Sequence, residues 1–216
     1  MDPCHTRAKK RSDRRRKTPA VASGFVDLPN DAVRMNHAAK RKSMGPDPRG
    51  AERQRMTYED VEPLRASYRP AKIKVLFVGQ SAPAGGAFFY KQTGQVHSQF
   101  RQVLTPHIGD SPSFVAAFKQ SGFYLDDLVL EPVNWLSRSE RQAIHAASIA
   151  SLAKRLRGYD APLVVASMKG ITAPVKAAIA ASGTSCHFEV VPFPENGRQA
   201  EFRSAMTAIM PKLLNR

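Results

Sequence analysis

The stretch VLFVGQSAPAGGAFFY, residues 75–90, opens on four apolar residues, stops at Gly79, runs through a small-residue turn and then presents Phe88 and Phe89 together. A short apolar run closed by glycine reads as a strand buried on both faces. Such a strand belongs in a parallel sheet with helices on either side, and the chain around it agrees. KIKVLFVG (72–79) is the first strand, GFYLDDLVLEPVN (122–134) holds a second, APLVVASMKG (161–170) a third and CHFEVVPFP (186–194) a fourth. Between them HSQFRQVLTPHI (97–108) reads as a helix, and another is expected to start near Ser111-Pro112, with proline in its first turn. SRSERQAIHAASIASLAKRLRGY (137–159) is the clearest helix. Ser137 and Glu140 make a capping box, Ile149, Leu152, Ala153 and Leu156 share a face, and Gly158 is the expected stop. ITAPVKAAIAASG is a further helix ending at Gly183, and the closing helix carries Phe202, Ala205, Met206 and Ile209 at helical spacing. Strands alternating with helices imply right-handed crossovers. The fold class is α/β, a three-layer α/β/α sandwich with a central, mainly parallel four-stranded sheet.

The charge is lopsided, 33 Lys+Arg against 18 Asp+Glu. It is spread over both halves, with 17 basic and 9 acidic residues up to Pro70 and 16 and 9 after it. A basic folded part joined to a basic extension fits a polyanion, most simply nucleic acid. Residues 1–56, which include RAKKRSDRRRK at 7–17, lack apolar periodicity and read as a basic, unfolded tail that contacts phosphates or directs localisation. Residues 57–71 read as an adapter with a short helix capped by Thr57 and Asp60, and residues 72–216 as the α/β domain. Two cysteines, Cys4 and Cys186, are too few for a four-thiolate metal or iron–sulfur site, and no disulfide framework is implied. No cofactor, metal cluster or membrane partner is expected. The protein is expected to be a cytoplasmic monomer, nucleoid-associated if prokaryotic, or nuclear through its basic tail.

In open parallel sheets, ligands bind beyond the carboxyl ends of the strands. There the chain places GQSAPAGGAFFY, DDLVLEPVN, SMKGITAP and PFPENGRQ. Together they offer aromatic faces (Phe88, Phe89, Phe193), amides (Gln80, Asn134, Asn196), carboxylates (Asp126, Asp127, Glu195) and cations (Lys169, Arg198). Gly85 and Gly86 let backbone approach a nucleotide, and helix starts nearby offer N–H groups to phosphate. A flat heterocycle stacked on phenylalanine and read by amides describes a pocket for a flipped base. Of the adjacent phenylalanines, one can face the core and the other the pocket. His145 and His187 need no functional reading at this level.

Residues 72–216 resemble the uracil-DNA glycosylase superfamily. The resemblance rests on VLFVGQSAPAGGAFFY and VVPFPENGRQAEF, similar in order and spacing to a Gly-x-x-Pro loop after strand one and a His-Pro-x-Pro loop after the last strand. They look closest to a prokaryotic branch with Gly-Glu-Ser-Pro-Pro-Ala-Gly-Gly and Pro-Phe-Pro…Gly-Arg-Gln motifs. By this resemblance Gln80 and Ser81 stand where the attacking water is handled, and Phe88 or Phe89 stacks on the base. Asp127 reads the base edge, with Asn134 the alternative. Pro192, Phe193, Pro194, Asn196, Gly197 and Arg198, with Lys169, grip phosphates and groove. The chain departs from the family in having Gln80 and Ser81 where many members carry a carboxylate, and Val191 where the second motif has histidine. Neither Gln80 nor Ser81 is a general base at neutral pH, so the expected alternatives are a water oriented by Gln80 that suffices for a good leaving group, or a carboxylate supplied by Asp126, Asp127 or Glu195.

The function implied is that of a monofunctional DNA glycosylase acting on a deaminated or damaged base, uracil by default. The alternatives are a catalytically silent nucleic-acid-binding module of the same fold, or an enzyme acting on a free nucleotide or nucleoside.

Overall fold

The computed structural model describes residues 57–195 and 197–215. The basic tail at 1–56, Cys4 within it and the phosphate contact expected of Asn196 lie outside the described residues.

The first described element is α1 (Tyr58–Ser67). Its start follows the sequence reading: the Asp60 carboxylate accepts from the Thr57 backbone N–H at 2.7 Å and from the Thr57 hydroxyl at 2.9 Å. Val61 and Arg65, one turn apart on its inner face, are wholly buried, so this segment supplies part of the interior. Then follow β1 (Val75–Gly79), a single 3-10 turn (Phe89–Lys91), α2 (Gly94–Ile108), α3 (Phe114–Gln120) and β2 (Phe123–Asp127). The second half runs α4 (Arg138–Ala147), α5 (Ile149–Tyr159), β3 (Leu163–Ala166), a 3-10 turn (Lys169–Ile171), α6 (Thr172–Ser182), β4 (His187–Val190) and α7 (Gln199–Leu214).

The four strands form one all-parallel sheet in the order β2-β1-β3-β4. In register, Gly79 stands opposite Asp127, and Val78 opposite both Asp126 and Ala166. The crossover from β1 to β2 carries α2 and α3. Those from β2 to β3 and from β3 to β4 run the other way across the sheet and carry α4, α5 and α6, which right-handedness puts on the opposite face. Packing follows this division, with α5 against α6, and α2 against α3 and α7. The fold is therefore the three-layer α/β/α sandwich.

Three boundaries differ from the sequence reading. The helix expected from Ser111-Pro112 begins at Phe114, because Ser113 is the cap and its Oγ accepts from the Ala116 N–H at 3.3 Å. The long helix over 137–159 is divided at Ser148, whose ψ of −7° falls outside the helical range. It ends past Gly158, at Asp160 in the left-handed region (φ 45°), which aspartate tolerates better than most residues. The Ser137–Glu140 capping box is formed, with the Glu140 carboxylate 2.9 Å from the Ser137 N–H.

The core is aromatic on the α2–α3 side. Phe77 of β1 lies edge-on to Phe100 with ring centres 5.1 Å apart, and Phe89 meets Phe118 at 5.1 Å and Phe100 at 5.6 Å. Edge strand β2 is buried throughout. Its outer backbone groups need partners there, and at Leu125 one hydroxyl supplies both. The Tyr90 OH accepts from the Leu125 N–H at 2.8 Å and donates to the Leu125 C=O at 3.0 Å. Tyr90→Phe leaves a buried donor and acceptor without partners, and is expected to cost on the order of 2–3 kcal/mol in a urea unfolding measurement.

Candidate functional site

The order β2-β1-β3-β4 fixes where a ligand crevice forms. Chain direction across the sheet reverses between β1 and β3, so the crevice opens beyond the carboxyl ends of those two strands. Gln80 follows β1 there, and Ser167 follows β3, with its N–H donating to the Val78 C=O at 2.9 Å.

Gln80 is half-buried, and its side-chain amide lies 3.2 Å from Nε2 of His145, on the inner face of α4. Burial first, and then the Arg141 charge, hold His145 below its ordinary pKa of 6.5. At neutral pH the ring is therefore uncharged and one of its nitrogens is an acceptor. Since Gln80 engages His145 through one end of its amide, the other end is left to orient a water or a polar ligand. Ser167 Oγ, in a residue only 2 % exposed, has no hydrogen-bond partner among the described residues. A buried hydroxyl of this kind is costly unless something else satisfies it.

The loop after β1 is strapped to the segment after β2. Leu128 and Val129 N–H groups donate to the C=O groups of Gly79 (2.9 Å) and Gln80 (3.0 Å). Ser81 Oγ accepts from the Val133 N–H at 3.3 Å, and Asn134 Oδ1 accepts from the Ala84 N–H at 3.1 Å. Ser81 and Asn134 thus hold the two rim segments together. Gly86 has φ 89°, a conformation glycine adopts without strain, whereas a side chain at exposed Gly85 would meet nothing.

The paired aspartates are held inside the protein. Arg65 reaches from α1 to place Nη1 3.1 Å from Asp126 Oδ1 and Nη2 2.6 Å from Asp127 Oδ2. Arg155 of α5 pairs with Asp126 Oδ2, which also accepts from the Tyr159 hydroxyl at 2.9 Å. Asp127, expected to read a base edge, thus has one carboxylate oxygen committed to Arg65. Its Oδ1 lies over Gly79, where any Cβ would overlap it, which explains why β1 ends in glycine. The two carboxyls respond oppositely to this site. Burial pushes Asp127 up to about 6 against the pull of Arg65. For Asp126 burial acts the same way but is outweighed by Arg155 and Arg65, which hold it below the usual carboxylate range.

The folded state therefore binds the Asp127 proton more tightly than the unfolded chain does. Its contribution to stability falls as pH rises from about 4 to about 6, and is level above that. Carbon-detected NMR of the carboxyls is expected to give an Asp127 midpoint near 6 and an Asp126 midpoint below 3.8. Asp127→Asn should remove the fall in stability between those two pH values.

The phenylalanines divide unequally. Phe89 is enclosed by Phe100, Phe114, Phe118 and His97 and belongs to the core. Phe88 is buried too, 5.7 Å from Tyr90 and with the Arg65 guanidinium 5.7 Å from its ring centre. After β4, Val191 is wholly buried, Pro192 and Pro194 are buried, Phe193 is half-buried, and Gly197 (φ 80°) and Arg198 are exposed at the start of α7. Glu195 is half-buried there and its C=O accepts from the Arg198 N–H at 3.2 Å. Lys169 is exposed in the turn before α6.

Three residues of this region were not singled out by sequence reasoning: His145, Arg65 and Ser167. His145 carried a signal, since its spacing to Ser148 and Leu152 puts it on the inward stripe of the continuous helix expected over 137–159, and all three are buried although that helix is divided at Ser148. Among the described residues no group of His, Cys, Asp and Glu is arranged to hold a metal ion, and no helix is long and apolar enough to cross a membrane.

No protein-family model matches the chain, and no curated protein sequence does. Among solved structures the chain is similar to the wild-type UNG crystal structure from Nitratifractor salsuginis, at 15% identity over 66% of this chain and 73% of that chain, with a TM-score of 0.40.

Proposed function

We propose that the chain is a DNA glycosylase-like base-excision enzyme in which Gln80 and His145 together handle the attacking water. The observation that carries this reading is the Gln80–His145 pair at the switch-point crevice, with the hydroxyl of Ser167, unpartnered among the described residues, following the neighbouring strand. Hydrolysis of an N-glycosidic bond develops a cationic sugar and an anionic base. The Gln80 amide carbonyl orients the water, and the neutral His145 ring takes its proton at Nε2, its one acceptor, as the water displaces the amide N–H there and adds to the sugar carbon. Ser167 and Asn134 would meet polar edges of an extruded base, Phe88 packs against the Arg65 guanidinium that binds both carboxylates, and Lys169, Arg198 and Gly197 stand at rim positions suited to phosphate. Uracil is the first substrate to test. The protein would be incubated with end-labelled single- and double-stranded oligonucleotides containing uracil, hypoxanthine or xanthine, followed by alkali. Strand breaks at the modified base support the proposal, and intact oligonucleotide at stoichiometric enzyme overturns it. A silent nucleic-acid-binding module is favoured by one observation, the commitment of Asp126 and Asp127 to Arg65 and Arg155. It expects salt-sensitive binding with no abasic product.

A further inference from the structure

At the opposite end of the sheet from this crevice, where β1 and β2 begin, lies an open groove of about 680 Å³. Its cationic lining is Lys72, Lys74 and Lys119, and no acidic residue borders it. Lys72 and Lys74 are exposed, and neither forms an ion pair or side-chain hydrogen bond among the described residues. Two structural features hold the lysines in place. The aliphatic stem of Lys74 covers Gly122, whose positive φ (79°) and missing side chain make room for it. Lys119 Nζ donates to the Ser67 C=O at 2.8 Å, fixing the far wall to the end of α1. Three like charges line the groove with no acidic residue in its lining among the described residues.

We infer that this groove is a second nucleic-acid contact, binding the phosphodiester backbone independently of the switch-point crevice. Small-molecule sites enclose most of their ligand within apolar walls. This groove is open, and the charge along its partly apolar lining is that of three lysines, which suits a polymer of repeating negative charge passing through it. It lies at the C-terminal end of α1, whose N-terminus follows the most basic part of the sequence, RAKKRSDRRRK and the residues after it. A backbone in the groove and the preceding segment therefore share one partner chemistry, whereas the segment itself, being basic, is repelled by the groove.

The test uses the full chain and a 20-nucleotide single strand, with affinity measured across a salt series. Lys72→Gln/Lys74→Gln is expected to lower the slope of log Kd against log salt by about 1–2, since each phosphate neutralised contributes roughly 0.7–0.9. Affinity at moderate salt should weaken roughly tenfold, and Lys72→Arg/Lys74→Arg should restore both. Lys72→Gln alone, which leaves the Lys74 stem on Gly122, should show about half the change in slope. Turnover at saturating oligonucleotide, where cleavage is present, should be unaltered by the Gln pair, whereas Gln80→Ala should alter turnover and leave the slope intact. The groove and the catalytic reading can thus fail separately. An unchanged slope and affinity in the Gln pair would overturn the inference. So would a pair that loses binding of inorganic triphosphate while its oligonucleotide slope is untouched, because the groove would then be a small-anion site.

Discussion

Replacing Arg65 with methionine is expected to lower the unfolding free energy by about 3–5 kcal/mol at about pH 7.5, because breaking a buried ion pair leaves charge uncompensated in the interior. Arg65 is fully buried and its two Nη atoms serve two different carboxylates, Asp126 and Asp127, at 3.1 and 2.6 Å. Methionine keeps most of the stem volume and the packing near Phe88, so the loss reports the charge. The pH dependence separates this from a packing effect. Asp127, already pushed up to about 6, escapes its isolation by taking a proton, so the penalty should shrink as pH falls towards 5. Adding Asp127→Asn to Arg65→Met should recover part of the loss, and Arg65→Lys should recover little, since one ammonium cannot span both carboxylates. Denaturant titrations at two pH values measure all of this. A loss under about 1 kcal/mol, the range of exposed pairs, would mean that water reaches the network.

Arg65 also marks what sequence could not show. The four strands were readable because each is a short apolar run bounded by Gly, Pro or polar residues, and parallel order then followed from the helices between them. Rim membership followed from that order, so Gln80, Ser81, Asn134, Lys169 and Arg198 could be placed without coordinates. Side-chain direction could not. Phe88 and Phe89 are adjacent in sequence, yet only packing against α2 and α3 shows that Phe89 is enclosed by Phe100, Phe114 and Phe118. Asp126 and Asp127 look like site carboxylates until a residue 61 positions earlier is found between them. Such pairing leaves no local pattern, because α1 contributes Arg65 from outside the alternating β-α series. His145 was legible as an inward-facing residue, but its contact with Gln80, 65 positions away, depends on how α4 is set against the end of β1.

Gln80→Ala is expected to slow single-turnover excision of uracil by about 10²–10³-fold with oligonucleotide affinity unchanged, the usual scale for one positioned acid–base or electrostatic group. His145→Ala should fall in the same range. The double variant should be little worse than either single one, because both residues act on one water and the loss of either disorders it. The pH profile carries the more specific signature. If the neutral imidazole takes the proton, the rate rises with pH and reaches its plateau above a midpoint lower than 6.5, since burial and then Arg141 disfavour the charged ring. In His145→Ala that limb should vanish, leaving a low, flat rate. Asp127, pushed up to about 6, also titrates below 6.5, so the limb must be assigned by variant. A limb that survives in His145→Ala but disappears in Asp127→Asn would move the proton acceptor to the aspartate over Gly79. Additive losses from Gln80→Ala and His145→Ala would break the shared-water mechanism, since two residues acting on separate events each remove their own factor. Full activity in Gln80→Ala would go further and remove the switch-point crevice from the reaction.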